Sequence, residues 1–160
     1  MTFDELVTTD SLAIDLNHKA MLVLLGYRRG RTNLDEASSA LIEECLEAAT
    51  PLLRPRGVFM IRRIQTRDQV GVHLKSTSLV LPGLSVERLL VDATAVAVMA
   101  VTIGPDLEQA VSRAQNQGLP QRAVILDAIG SEAVEAAAES INALIETMAR
   151  QAKATITRRF

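Results

Sequence analysis

From Ala95 to Gly104 the chain reads Ala-Val-Ala-Val-Met-Ala-Val-Thr-Ile-Gly, nearly all apolar and rich in valine. The run lacks the three-and-four spacing of a one-sided helix and is too short to span a bilayer. It predicts a strand buried on both faces, in the middle of a sheet and covered by helices. Gly104-Pro105-Asp106 ends it sharply. Pro105 suits a first helical turn, where its missing N–H costs nothing, and Asp106 favours the positive helix end. A strand therefore passes directly into a helix. The backbone N–H groups of such a junction can receive an anionic or polar ligand, or the junction is simply a well-made turn.

The rest of the pattern supplies the other elements. Met1 to Leu16 reads as a loose arm with a short strand. Asn17 caps a short helix that closes at Gly26. Thr32 or Asn33 caps the next helix, with Glu36 completing half a capping box. That helix runs to Ala49, with Leu41, Ile42, Cys45, Leu46 and Ala49 on one stripe, and Pro51 stops it. Residues 57–81 read as β structure, with Val58, Met60 and Ile64 and then Val70, Val72 and Leu74 in period-two segments. Thr66-Arg67-Asp68-Gln69 is the polar turn between them. Ser85 caps a short helix that turns Leu89 and Leu90 inward. Asp106 to Gln117 is amphipathic, and Gly118 ends it. A last helix runs from Pro120 to Lys153, broken at Gly130-Ser131, with Ala133, Ala137, Ile141, Leu144, Ile145 and Met148 on its buried stripe. Glu132, Glu135, Glu139 and Glu146 form its polar stripe, and residues 154–160 turn β-like. The chain shows no repeat and no linker, so a single domain over 1–160 is expected.

Composition narrows the function classes. A chain of 160 residues with 48% hydrophobic residues has enough material for a real core. Aromatic residues are 2% and Trp is absent, which leaves little for stacking on nucleic-acid bases. A net charge of −2 offers no basic surplus for a phosphate backbone. No nucleic-acid partner and no membrane partner are expected. One cysteine and the lack of a signal peptide point to a cytoplasmic protein.

Candidate chemistry is sparse. Arg28, Arg29 and Arg31 lie in the glycine-containing loop Gly26-Tyr27-Arg28-Arg29-Gly30-Arg31, where they could clamp an acidic group or simply face water. Cys45 sits among glutamates on an apolar stripe and reads as a core residue. His73 and His18 stand apart, so no two-histidine metal site is visible and no metal is expected. Ser76, Thr77 and Ser78 offer hydroxyls without a base at recognisable spacing. A hydrolase or lyase built on Glu135 or His73 has no spacing to support it.

Several motifs in order carry a family resemblance. Leu24-Leu25-Gly26-Tyr27 follows a short helix, and Leu53-Arg54-Pro55-Arg56-Gly57 leads into the β region. Val101-Thr102-Ile103-Gly104 precedes Leu107-Glu108, and Ile125-Leu126-Asp127-Ala128-Ile129-Gly130-Ser131 leads to Val134-Glu135-Ala136. Together they resemble the activation domain of cobalamin (vitamin B12)-dependent methionine synthase in a small free-standing form. The resemblance implies an α+β fold, a twisted, largely antiparallel sheet covered by helices. It implies binding of S-adenosylmethionine as methyl donor, with Thr102, Gly104, Glu135 and Glu139 as cofactor-binding candidates. Cobalamin would come only through a partner, a methionine synthase or other corrinoid protein, with a flavodoxin-type electron donor. The family's donor motif is Arg-x-x-x-Gly-Tyr, and Arg159-Phe160 match its first residues. Two readings follow. Either the chain continues past Phe160 into a complete motif, or it is a degenerate member that binds a corrinoid protein without the methyl donor. No catalytic residue is expected on either reading, because in this chemistry the cobalt is the nucleophile and the protein supplies approach geometry.

Overall fold

The sheet is organised around one long strand. The computed structural model describes residues 5–28 and 30–157. Within it Leu6–Thr9 forms β1, Arg56–Arg67 β2, Gly71–Leu74 β3, Val80–Pro82 β4 and Ala95–Thr102 β5. The five strands make one sheet in the order β1-β2-β3-β4, and β5 also pairs with β2. The β2–β3 and β3–β4 ladders are antiparallel. The result is an α+β fold with a curled antiparallel sheet, as the resemblance implied. The helices are α1 (His18–Leu24), α2 (Glu36–Ala49), α3 (Leu84–Leu89), α4 (Asp106–Asn116) and α5 (Pro120–Gln151). The chain forms two compact units, one drawn from Met1–Thr8, Val58–Ala100 and Leu144–Phe160, the other from Thr9–Gly57 and Val101–Ala143.

The first unit holds the hairpins. Ile64 stands opposite Leu74 and Arg67 opposite Val72, with a bulge between Ile64 and Thr66. β2 runs through Thr66 and Arg67, which the sequence assigned to the turn. The turn itself is tightened by Asp68, whose carboxylate accepts from Val70 N at 2.9 Å and Gly71 N at 3.3 Å. Val70 is correspondingly exposed rather than part of a strand. Gly71 is required here. Its φ is +151°, and a Cβ would stand 2.3 Å from the Leu81 carbonyl oxygen on β4. In β2 the buried residues are Gly57 and Phe59, with Val58 and Met60 only half-buried, so the inward register is the opposite of the one read from Val58 and Met60. α3 packs on β3 and β4. Gly83, not Ser85, is its N-cap, and Leu89 faces out. The Arg67 guanidinium donates to the carbonyls of Leu90 (2.9 Å) and Ala93, which closes the end of α3.

β5 corrects the expectation drawn from the apolar run. It is a strand, yet no residue of it is buried, and Ala97, Ala100 and Thr102 are exposed. The most buried strand is β3, where Gly71, Val72 and Leu74 are all buried. Covering explains the difference: α3 packs on β3, and a strand's side chains are buried by what lies on its faces.

The second unit carries an apolar core of Met21, Ile42, Cys45, Ile103, Leu107 and Ile129 with the small Ala49 and Ala133. The Asn17 side chain accepts from Lys19 N and Ala20 N, and so caps α1 as expected. α2 is capped by Asp35, which accepts from Ser38 N at 2.7 Å. Thr32, an expected cap, instead accepts from Arg28 N and closes the arginine loop. The α2 stripe is as read, with Ile42, Cys45 and Ala49 buried. α5 runs through Gly130-Ser131 without a break. A Cβ on Gly130 would stand 3.3 Å from Leu107 Cδ2 and 3.7 Å from Ile103 Cδ1, so the glycine permits close packing instead of ending the helix. Glu132 is also corrected, because it is buried at 8% exposure and not on a solvated stripe.

In the first unit, the end of α5 buries Ile145 and leaves Leu144 exposed, against its assignment to the stripe. Residues 154–157 have no strand, and 158–160 lie outside the described residues. No helix among the described residues is long and apolar enough to cross a membrane.

Candidate functional site

The junction from β5 to α4 is built from its own residues and from Arg54. The Thr102 hydroxyl accepts from Gly104 N at 3.1 Å, which folds the strand end back on itself. Gly104 takes φ +81°, a conformation that glycine adopts without strain. A Cβ there would stand 3.1 Å from Arg54 Cβ. Arg54 N donates to the Ile103 carbonyl at 2.8 Å, and its guanidinium donates to the carbonyls of Pro51 (2.7 Å) and Leu53 (2.9 Å). The segment before β2 thus clamps the junction from behind. Thr102 is exposed and Gly104 buried.

α4 begins at Pro105 without a side-chain cap, and Asp106 and Glu108 lie in its first turn. These two carboxylates already complement the positive helix end. The junction therefore suits a neutral or cationic group better than the anion that the bare turn suggested.

Glu135 and Glu139 are exposed on α5. α5 meets Ile103 and Leu107 through Gly130, on the face that also buries Ala133 and Ala137. At about 100° per residue, Glu135 and Glu139 lie roughly opposite that face. The structure therefore brings Thr102 and Gly104 together, and their neighbour Ile103 meets α5 on the side turned away from the two glutamates. Arg159 lies outside the described residues.

Two polar features escaped the sequence. Glu132 Oε1 accepts from Asn17 N at 3.0 Å. The Ser140 hydroxyl lies 2.8 Å from the Ala13 carbonyl and 3.1 Å from the Ala136 carbonyl. These contacts fasten residues 13–17 along α5. Their separations, 115 and 127 residues, leave no local signal to find.

The remaining candidates have structural roles. Cys45 is fully buried, and burial pushes its thiol up from the usual range, which suppresses the reactive thiolate. His73 Nε2 lies 2.9 Å from Asp68 Oδ2 across the hairpin. His18 Nε2 is 3.6 Å from Glu43 Oε1, between α1 and α2. Arg28 and Arg31 are exposed, and Arg29 lies outside the described residues. Among the described residues, no group of three or more His, Cys, Asp and Glu side chains is placed to hold a metal ion.

No family model and no curated protein matches the sequence. Among solved structures the chain is similar to the MetH reactivation domain bound to AdoHcy, with a TM-score of 0.54 and 15% identity. The match covers 87% of this chain and 57% of that one. At this identity the likeness is one of fold.

Proposed function

We propose that the chain is an S-adenosylmethionine-binding module for the reductive reactivation of cobalamin on a B12-dependent methionine synthase or related corrinoid methyltransferase. The observation that carries this reading is the likeness in fold to the MetH reactivation domain, whose structure holds AdoHcy. The order of the motifs in the sequence supports it independently. S-adenosylmethionine supplies a methyl group on a cationic sulfonium, and its amino group is a second cation. Charge on this chain suits such a ligand. Glu135 and Glu139 offer carboxylates on an exposed helix face, and Asp106 and Glu108 add two more beside the Thr102–Gly104 junction. An arginine at 159 would pair with the donor's carboxylate in two parallel hydrogen bonds.

One observation favours a second reading, a degenerate module that binds a corrinoid protein without the donor. The junction meets α5 on the face opposite Glu135 and Glu139, so these candidates do not converge.

Titration calorimetry with S-adenosylmethionine separates the two. A form carrying the full Arg-x-x-x-Gly-Tyr from Arg159 is expected to bind, and the 160-residue form to bind weakly or not at all. Arg159→Lys and Glu135→Gln in the longer form should each weaken binding about tenfold, the scale of one charge-assisted hydrogen bond. No binding by the longer form would leave the degenerate reading in its place. Tight binding by the 160-residue form would overturn the role given to Arg159.

A further inference from the structure

The second unit contains a cleft of about 160 Å³ between α2, the turn at Thr50–Leu52, α4 and α5. Its lining divides by chemistry. Leu52, Ala114 and Leu126 form an apolar wall, and Ala114 and Leu126 are themselves buried. Arg113 from α4, Gln117 at its C-terminal cap and Arg122 from α5 supply the polar side. Glu44 on α2 holds Nη1 of Arg122 in an ion pair. A guanidinium has five donors, so most of those on Arg122 remain for another acceptor. Among the described residues the Arg113 side chain makes no hydrogen bond or ion pair. Two arginines against one glutamate leave a single positive charge beside an apolar wall.

We propose that this cleft binds a small monocarboxylate with a short apolar tail, its carboxylate between Arg113 and Arg122 and its carbons against Leu52, Ala114 and Leu126. Three features select this class. The net single positive charge matches a monoanion. The planar, forked guanidinium matches the two oxygens of a carboxylate. The volume matches about six heavy atoms, since a cavity near 150 Å³ is enough to take a six-carbon ring. The inference does not rest on the function proposed above, because none of these residues belongs to that site.

Titration of the isotope-labelled 160-residue chain with butyrate, followed by amide shifts in NMR spectra, tests it. Saturable shifts are expected, confined to residues 48–52, 110–117 and 122–126. Butyramide, which keeps the tail but loses the charge, should give none, and inorganic phosphate, which keeps charge but lacks the tail, should bind at least tenfold more weakly. Arg113→Gln should weaken butyrate at least tenfold, and Arg113→Lys should recover only part of that loss. Arg113 is exposed, so both variants should keep the native spectrum elsewhere. If Arg113→Gln does disturb the fold, Gln117→Ala, also at an exposed position, serves in its place with a severalfold loss expected. Equal binding of butyramide or of phosphate, shifts outside the cleft, or unchanged affinity in the variants would each overturn the proposal.

Discussion

The Glu132 carboxylate is buried and accepts the Asn17 N–H. Truncation to alanine would leave that part-buried N–H without its acceptor. Glu132→Ala should therefore cost about 1–3 kcal/mol in urea unfolding at neutral pH, and Glu132→Gln, which keeps a carbonyl acceptor, clearly less. Equal costs for the two variants would show that the hydrogen bond is not what matters there. Asp68 offers a pH-dependent case. The hydrogen bond from His73, then those from Val70 N–H and Gly71 N–H, hold its carboxyl below the ordinary value of 3.8. A carboxyl depressed in the folded state stabilises the fold above its unfolded pKa, and that contribution is lost as pH falls through the folded value. Asp68→Asn should flatten the fall in melting temperature below about pH 4, leaving the part due to Asp35, which Ser38 holds down in the same way. An unchanged acid limb would remove Asp68 from the explanation. Legibility at this scale follows sequence distance. Asn17 was readable as a cap because its partners are two and three residues away, while its own N–H finds an acceptor 115 residues on.

Helices were legible as elements because their signals are local. Asn17, Pro105, Gly118 and Pro120 each stand at the end of a helix for a reason that lies in the residue itself. Gly130 misled because its penalty of about 1 kcal/mol in a helix is offset by a contact with Leu107 that only the fold creates. Strands were legible as strands, but their burial was not. Apolar content marked β5 as central, whereas the helix α3 packed on β3 makes that strand the buried one. Substitution by a charge distinguishes these two grounds. Val72 on β3 is fully buried, so Val72→Asp should cost ~3 kcal/mol or more. Val98 on β5 is only half-buried, and Val98→Asp should cost roughly half as much or less. Chemical denaturation of both variants checks the order. A larger cost at Val98 would mean that the apolar run, and not the covering by α3, marks the core strand.

At the scale of the whole molecule, the succession of elements was readable and the pairing of strands was not. A succession depends on punctuation by Pro, Gly and caps, whereas pairing depends on which edges meet across many residues. The resemblance supplied the antiparallel sheet that the apolar run alone left open, and the same resemblance underlies the proposed partner. On the proposed reading, a module that presents a methyl donor has to meet a cobalt held on another protein. On the proposed reading the 160-residue chain should retain a cobalamin-carrying methyltransferase from cell extract, detected by corrinoid absorbance in the eluate. Retention should be strongest when the cobalt has been oxidised to cob(II), the state that needs repair, and should rise further when S-adenosylmethionine is added to the form carrying the full Arg-x-x-x-Gly-Tyr. Retention that ignores the methyl donor in both forms would favour the degenerate module, which needs the partner and not the ligand. Absence of corrinoid from the eluate in either oxidation state, with the chain folded, would remove the partner from both readings, because each places this protein beside a cobalamin it does not itself carry.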